Sequence, residues 1–306
     1  MLGGLWLAFL VVAGSDGGAL RLPGLEVRFP EGERPRAEEI ARIFFQETPQ
    51  IAGRLSLPAP EEIRVVLVGE AEAFVEALGG HDEPRAAAVA FPFEARIVVR
   101  LDRLAGRIQT PRAIARHEIV HVLLDGLGLE TYRRIPRWFH EGLAQRFAGP
   151  LFLGDRGVLV RRARDGTLPS LDSLTSEFPE GAGDQDLAYY LSEAAVREVV
   201  GSSESRLPVL WDCLRDGGGF EPCFRTTFET RLDELEAKIT SQLIRDKSKL
   251  ITRVMAWSGL VLFVLGSPLV LLAWWRRKLR AERRLREIED REIALSSHIE
   301  SNNTPL

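Results

Sequence analysis

Apolar positions recur along this chain with two different periods, and the change of period divides it. "LEVRFPE" (Leu25 to Glu31) alternates, as a first strand with one face in a core must. "EIRVVLVGE" (Glu62 to Glu70) is a β-branched run with the same reading. Between them Ile40, Ile43, Phe44 and Ile51 fall at helical spacing and predict a helix over 35–55. "AEAFVEAL" (Ala71 to Leu78) predicts a short helix ended by Gly79 and Gly80, and "AAAVAFPFEARIVVRL" (Ala86 to Leu101) two short strands turned around Pro92. From Pro111 the character becomes helical, with Thr110 as N-cap, proline at the first helical position and Gly126 beyond the end. Further helices are predicted over Pro136 to Ala148, Asp186 to Val200, Leu207 to Leu214 and Arg231 to Ile244. Strands first and helices after predict one α+β domain over about residues 20–245.

The ends follow a different rule. "MLGGLWLAFLVVAGS" is an apolar run closed by small residues, the form of a secretory signal peptide over 1–15, although no Lys or Arg precedes it. Ala256 to Trp275 carries no charge and has the length of a membrane-spanning helix, with Trp257, Trp274 and Trp275 near its ends. Four Lys or Arg lie over 245–255 and seven over 276–286, so the positive-inside rule puts the charged tail, 276–306, in the cytoplasm. The expected localisation is therefore the cytoplasmic (inner) membrane, single-pass, with the folded domain extracytoplasmic or periplasmic.

Composition narrows this only slightly. A formal net charge of -4 gives no reason to expect nucleic acid as a partner. The two cysteines, Cys213 and Cys223, rule out a disulfide-dense scaffold and a thiolate-rich metal cluster. They flank a glycine-rich turn and read as a disulfide or as two buried thiols.

The chemistry concentrates in "AIARHEIVHVLL" (Ala113 to Leu124). His117 and His121 are four positions apart, about 400° of helical rotation, so both imidazoles point to one side. Glu118 lies beside them, where a carboxylate reaches a metal-held water. With five histidines in the chain, about 0.007 chance occurrences of this pattern are expected. A buried imidazole pair among Ile114, Ile119 and Val120 would otherwise need polar partners that nothing local supplies. Metal binding is the better reading, and a catalytic zinc needs a third protein ligand. The next helix, "PRWFHEGLAQRF", offers Glu141, twenty positions after His121.

His117-Glu118-x-x-His121 followed by Glu141, within "W-F-x-E-G-x-A" (Trp138 to Ala144), resembles the gluzincin zinc metallopeptidases and the peptidase MA-like domains of bacterial envelope proteins. The resemblance covers roughly residues 60–240. It implies an α+β, zincin-like fold: a small mixed sheet with an active-site helix and a helical C-terminal subdomain; the expected C-terminal transmembrane helix lies outside the resemblance. It implies one Zn2+ per chain on His117, His121 and Glu141, with Glu118 as general base, and a peptide or protein substrate. That substrate is held by addition to an edge strand, "AVAF" or "ARIVVRL". Tyr189, with Ser192 three residues on, occupies the family position of an oxyanion donor; Tyr190 shares a stripe with Leu187, Leu191 and Ala194 and reads as core. Asp125 and Gln145 read as solvated residues or as supports behind the ligands, His140 as surface or support, and His81 and His298 carry no signal. A catalytically silent module on the same fold, or hydrolysis of a non-peptide amide, stays open.

Overall fold

The computed structural model of the chain describes residues 10–14, 17–81, 86–91, 93–104, 110–149, 156–201 and 203–245. A six-stranded mixed sheet runs in the order β1-β2-β3-β4-β6-β5, with β1 Leu10–Gly14, β2 Gly17–Leu22, β3 Leu25–Phe29, β4 Ile63–Val68, β5 Ala88–Phe91 and β6 Arg96–Arg100. The pairs β3–β4 and β4–β6 are parallel; β1–β2, β2–β3 and β5–β6 are antiparallel. The parallel pairs need crossovers, and helices α1 (Arg34–Leu55) and α2 (Ala71–Ala77) supply them.

Alternation along the central strands sorts side chains onto two faces. Ile63, Val65 and Leu67 of β4 with Ile97 and Val99 of β6 enter the main core, whereas Val68 and Val98 join Phe74 and Leu78 on the opposite face. Helix α1 packs on the main face with α3 (Pro111–Asp125), and α2 covers the other. Beyond α3 come α4 (Leu129–Tyr132), α5 (Arg137–Ala148), α6 (Arg156–Arg164), α7 (Ala182–Val200), α8 (Leu207–Arg215), α9 (Phe220–Phe228) and α10, residues 232–245. Phe139, Phe220, Phe224 and Phe228 stack behind α5, with Phe139 and Phe220 edge-to-face at 5.2 Å. Trp211 closes this cluster and donates its indole N–H to Leu55 O, one of the carbonyls left open at the end of α1.

The sheet begins earlier than the alternating pattern predicts. Leu25–Phe29 is the third strand, because β2 already alternates Leu20 and Leu22 into the core. The glycines that obscure β2 in the sequence are required by it: a Cβ on Gly18 would lie 2.5 Å from the Phe29 ring across the strand pair. Of the expected leader, only Leu10–Gly14 is described, as the outermost strand. Pro92, the expected 256–275 span, the tail and His298 lie outside the described residues. No helix among the described residues is long and apolar enough to cross a membrane.

Candidate metal centre

Two helices build the site. Thr110 accepts a hydrogen bond from Ala113 N–H and starts α3, with Pro111 at its first position. The helix is braced from behind by Glu47 of α1, a buried carboxylate that takes two hydrogen bonds from Arg116 (2.7 and 3.2 Å) and an ion pair from Arg112. Arg116 immediately precedes His117, so the brace acts on the turn that carries the first imidazole. Helix α5 is seated by Trp138 and Phe139, both fully buried. Its next turn lies against α7 because residue 142 is glycine. A Cβ there would come within 2.4 Å of Ser192 O and 2.6 Å of Val196 Cγ2. Ser192 is itself small and buried, with its hydroxyl donating to Ala188 O.

This packing brings His117, His121 and Glu141 together. The two Nε2 atoms lie 3.2 Å apart, and each is 3.6 Å from Glu141 Oε2. The triangle has a point roughly 2.0 Å from all three atoms, the bond length zinc takes with imidazole nitrogen and carboxylate oxygen. Glu141 Oε2 is buried and has no hydrogen-bond partner. A buried carboxylate oxygen left without a donor is costly, and a cation at that point removes the cost. The donor set, two imidazoles and one carboxylate, suits zinc and leaves a coordination position for water.

The electrostatics agree with a site shaped for a cation. Burial works against the Glu141 carboxylate, yet the imidazoles of His121 and His117 hold it well below the usual glutamate range. Burial also works against charge on His121, and the Glu141 carboxylate overcomes this and raises it. Glu118 is buried beside the pair, and its charge acts on both His121 and Tyr189. Tyr189 lines the same cleft as the three candidate ligands and packs edge-on against Phe178 at 5.0 Å. The negative charge of Glu141 and burial raise its phenol, so it stays protonated. Tyr190 is buried elsewhere, with Leu159 and Leu187.

For two residues the structure decides between the alternatives that the sequence leaves open. His140 is not on the surface: its ring stacks on Tyr132 with centroids 5.5 Å apart, and its Nδ1 is buried without a partner. Burial lowers its pKa to about 4, so it is a neutral wall of the cleft. The 100° rotation from Glu141 carries it toward α4 rather than outward, which helical geometry alone does not reveal. Asp125 is likewise not merely solvated. Its Oδ2 accepts from Phe93 N–H at 3.0 Å and so ties the end of α3 to the β5–β6 turn, where Phe93 has φ +62°. Burial raises its pKa to about 6, against the opposing pull of the Phe93 N–H. Gln145 is half-buried one turn beyond Glu141, and His81 is exposed.

The structure also brings in groups that sequence reasoning missed: Tyr132, Arg137, Thr175 and Ser176 line the cleft. Arg137 was legible in principle, since it lies one turn before Glu141 and its Nε sits 3.8 Å from Glu141 Oε1. The others come from segments with no motif. Of the two expected edge strands, β5 ("AVAF") is the edge and lines the cleft, while β6 is interior.

A sheet whose edge strand lines a cleft, and two packed helices that bring His117, His121 and Glu141 to the same cleft, fit a zincin-like metallopeptidase domain. A sequence model of the peptidase MA superfamily matches residues 61–245, and the chain belongs to that superfamily. No curated protein matches it.

Proposed function

We propose that this chain is a zinc metallopeptidase that hydrolyses peptide bonds on the extracytoplasmic side of the cytoplasmic membrane, anchored there by residues 256–275. The observation that carries the reading is the buried, unpartnered Glu141 Oε2, equidistant from two imidazole nitrogens. Members of the superfamily typically depend on zinc, and His117, His121 and Glu141 fit it. The disulfide between Cys213 and Cys223 supports the oxidising compartment.

When bound, zinc polarises a carbonyl and supplies water that loses a proton near neutral pH. Every other step belongs to the chain. Edge strand β5 offers unpaired backbone groups that hold a peptide extended across the cleft. Glu118 accepts the proton of the attacking water and returns it to the departing amine, so that the leaving group departs neutral. Tyr189, protonated throughout the physiological range, donates a hydrogen bond to the carbonyl oxygen as it gains negative charge.

Purified full-length protein is expected to carry about one zinc per chain and to cleave unfolded protein. Glu118→Gln should retain the zinc and lose hydrolysis. Elemental analysis alongside a cleavage assay checks both, and a wild-type protein without stoichiometric metal sinks the proposal.

A further inference from the structure

The cleft at the candidate metal centre has a volume of about 580 Å³, and two segments of its lining differ in charge. One is β5, with Ala88, Val89 and Ala90 and no ionisable group. The other is the stretch 133–137, "RRIPR", which brings Arg133, Arg134 and Arg137 to the same cavity. From this arrangement we infer that the cleft selects substrates bearing a carboxylate within reach of the scissile bond: an acidic side chain, or the C-terminal carboxylate of a short peptide. The inference rests on the peptidase reading and names the substrate class of that site.

Arg134 and Arg137 are anchored by groups other than carboxylates, and Arg133 is exposed. Arg134 is anchored by one donor, Nη1 to Leu214 O at 2.8 Å, which leaves the rest of its fork. Arg137 lies over the Phe178 ring at 5.0 Å and is 3.8 Å from Glu141 Oε1, too far for a hydrogen bond. Arg133 faces Glu130 at 3.8 Å with both side chains largely in solvent, an ion pair of little worth. Among the described residues, none of the three has a carboxylate within hydrogen-bond distance. The acids on the cavity are Asp125, engaged with Phe93 N–H, and Glu141, whose Oε2 faces the imidazoles. Two acids against three arginines leave the lining net positive, and a cation on Glu141 would take up that acid's charge.

Geometry turns this charge into selectivity. A peptide added to edge strand β5 enters the cavity that the three arginines line, and every second side chain of an extended peptide faces the same way. Small side chains on β5 give no deep apolar pocket on that side, so the charged segment is the feature that discriminates. A guanidinium fork engages a carboxylate through two parallel hydrogen bonds and engages an amide of the same shape far less well.

The test uses fluorescent peptide pairs identical except for Glu or Gln at one position, each with a free or an amidated C-terminus. Binding to full-length Glu118→Gln protein in detergent is read by anisotropy, and cleavage by the wild type is read separately. At least one carboxylate peptide should bind roughly tenfold more tightly than its uncharged twin at low salt, with the gap narrowing at high salt. Arg133→Glu, at an exposed position, and Arg137→Gln should each shrink that ratio. If amidation removes the preference, the recognised group is the terminal carboxylate; if it survives amidation, the group is an acidic side chain. Equal binding of the twins, or a ratio unmoved by both variants, overturns the inference. A preference in binding without any wild-type cleavage would leave it standing and sink the peptidase reading; cleavage indifferent to charge would do the reverse.

Discussion

Gly142 has no chemistry of its own, yet it sets the position of the carboxylate beside it. Backbone of α7 lies where its Cβ would be, so the two helices approach closely enough to bring Glu141 onto the His117–His121 pair. Gly142→Ala must part the helices or strain them, and overpacking of this kind costs about 1–3 kcal/mol. The variant should therefore melt earlier and bind zinc more weakly. Gly53→Ala provides the contrast, since nothing lies within 4 Å of an added Cβ at that helical position. It should leave zinc binding alone and stabilise the fold by up to about 1 kcal/mol. Urea titrations of the two variants with a zinc titration on each decide the point; a Gly142→Ala protein as stable and as metal-competent as wild type would contradict this account.

At the scale of elements, charged braces fix the helices that the apolar core only pushes together. Glu47 ties α1 to the turn before His117. Glu204 performs a comparable task at the C-terminal end of α1, accepting from Arg54 and from Arg146 of α5, while Arg146 also donates to Gly201 O at 2.9 Å. The Arg54 hydrogen bond, working against burial, lowers the Glu204 carboxyl below its usual value. A depressed carboxylate stabilises the fold above its unfolded pKa, and that contribution is lost as pH falls through the folded value. Because the network is partly exposed, it contributes about 0.5–1 kcal/mol. The stability difference between wild type and Glu204→Gln should thus be constant near neutrality and vanish in acid. Denaturation curves from pH 7 down to pH 3 measure it, and a difference independent of pH would exclude the brace.

At the scale of the whole molecule, one covalent link closes the helical half. Cys213 of α8 and Cys223 of α9 are joined, and Gly218 between them is obligatory because a Cβ there would strike Cys223 Sγ. A loop of this size contributes about 2–3 kcal/mol by restricting the unfolded chain. Reduction should lower the unfolding free energy by that amount, and the urea midpoint with it, without displacing zinc, because the helices carrying the candidate ligands are α3 and α5. Parallel unfolding curves with and without a phosphine reductant, followed by metal analysis, test both halves of the statement. Loss of metal on reduction would mean that the helical half controls the site more tightly than its packing indicates.

Much of the site was legible in the sequence because it obeys local geometry. Four-residue spacing puts His117 and His121 on one helix face wherever that helix sits, and Thr110 with Pro111 marks its start. Strand β3 announced itself through alternation, β4 through its β-branched residues, and β5 and β6 as two short runs on either side of Pro92, and the α+β order of elements followed. Strand β2 did not, since its glycines serve a neighbour, Phe29, that lies across the sheet rather than along the chain. The same holds for the groups around the metal centre. His140, Asp125 and the arginines of 133–137 acquire meaning only when α4 and the β5–β6 turn fold over them, and no periodicity records that. Sequence alone thus determined which side chains could serve as ligands and that His117 and His121 share a helix face, because ligand type and helical pitch are local properties, whereas the approach of Glu141 to them depends on helix packing. Only tertiary structure decided how the cleft above them is walled and charged, because that depends on which distant segments the core brings into contact.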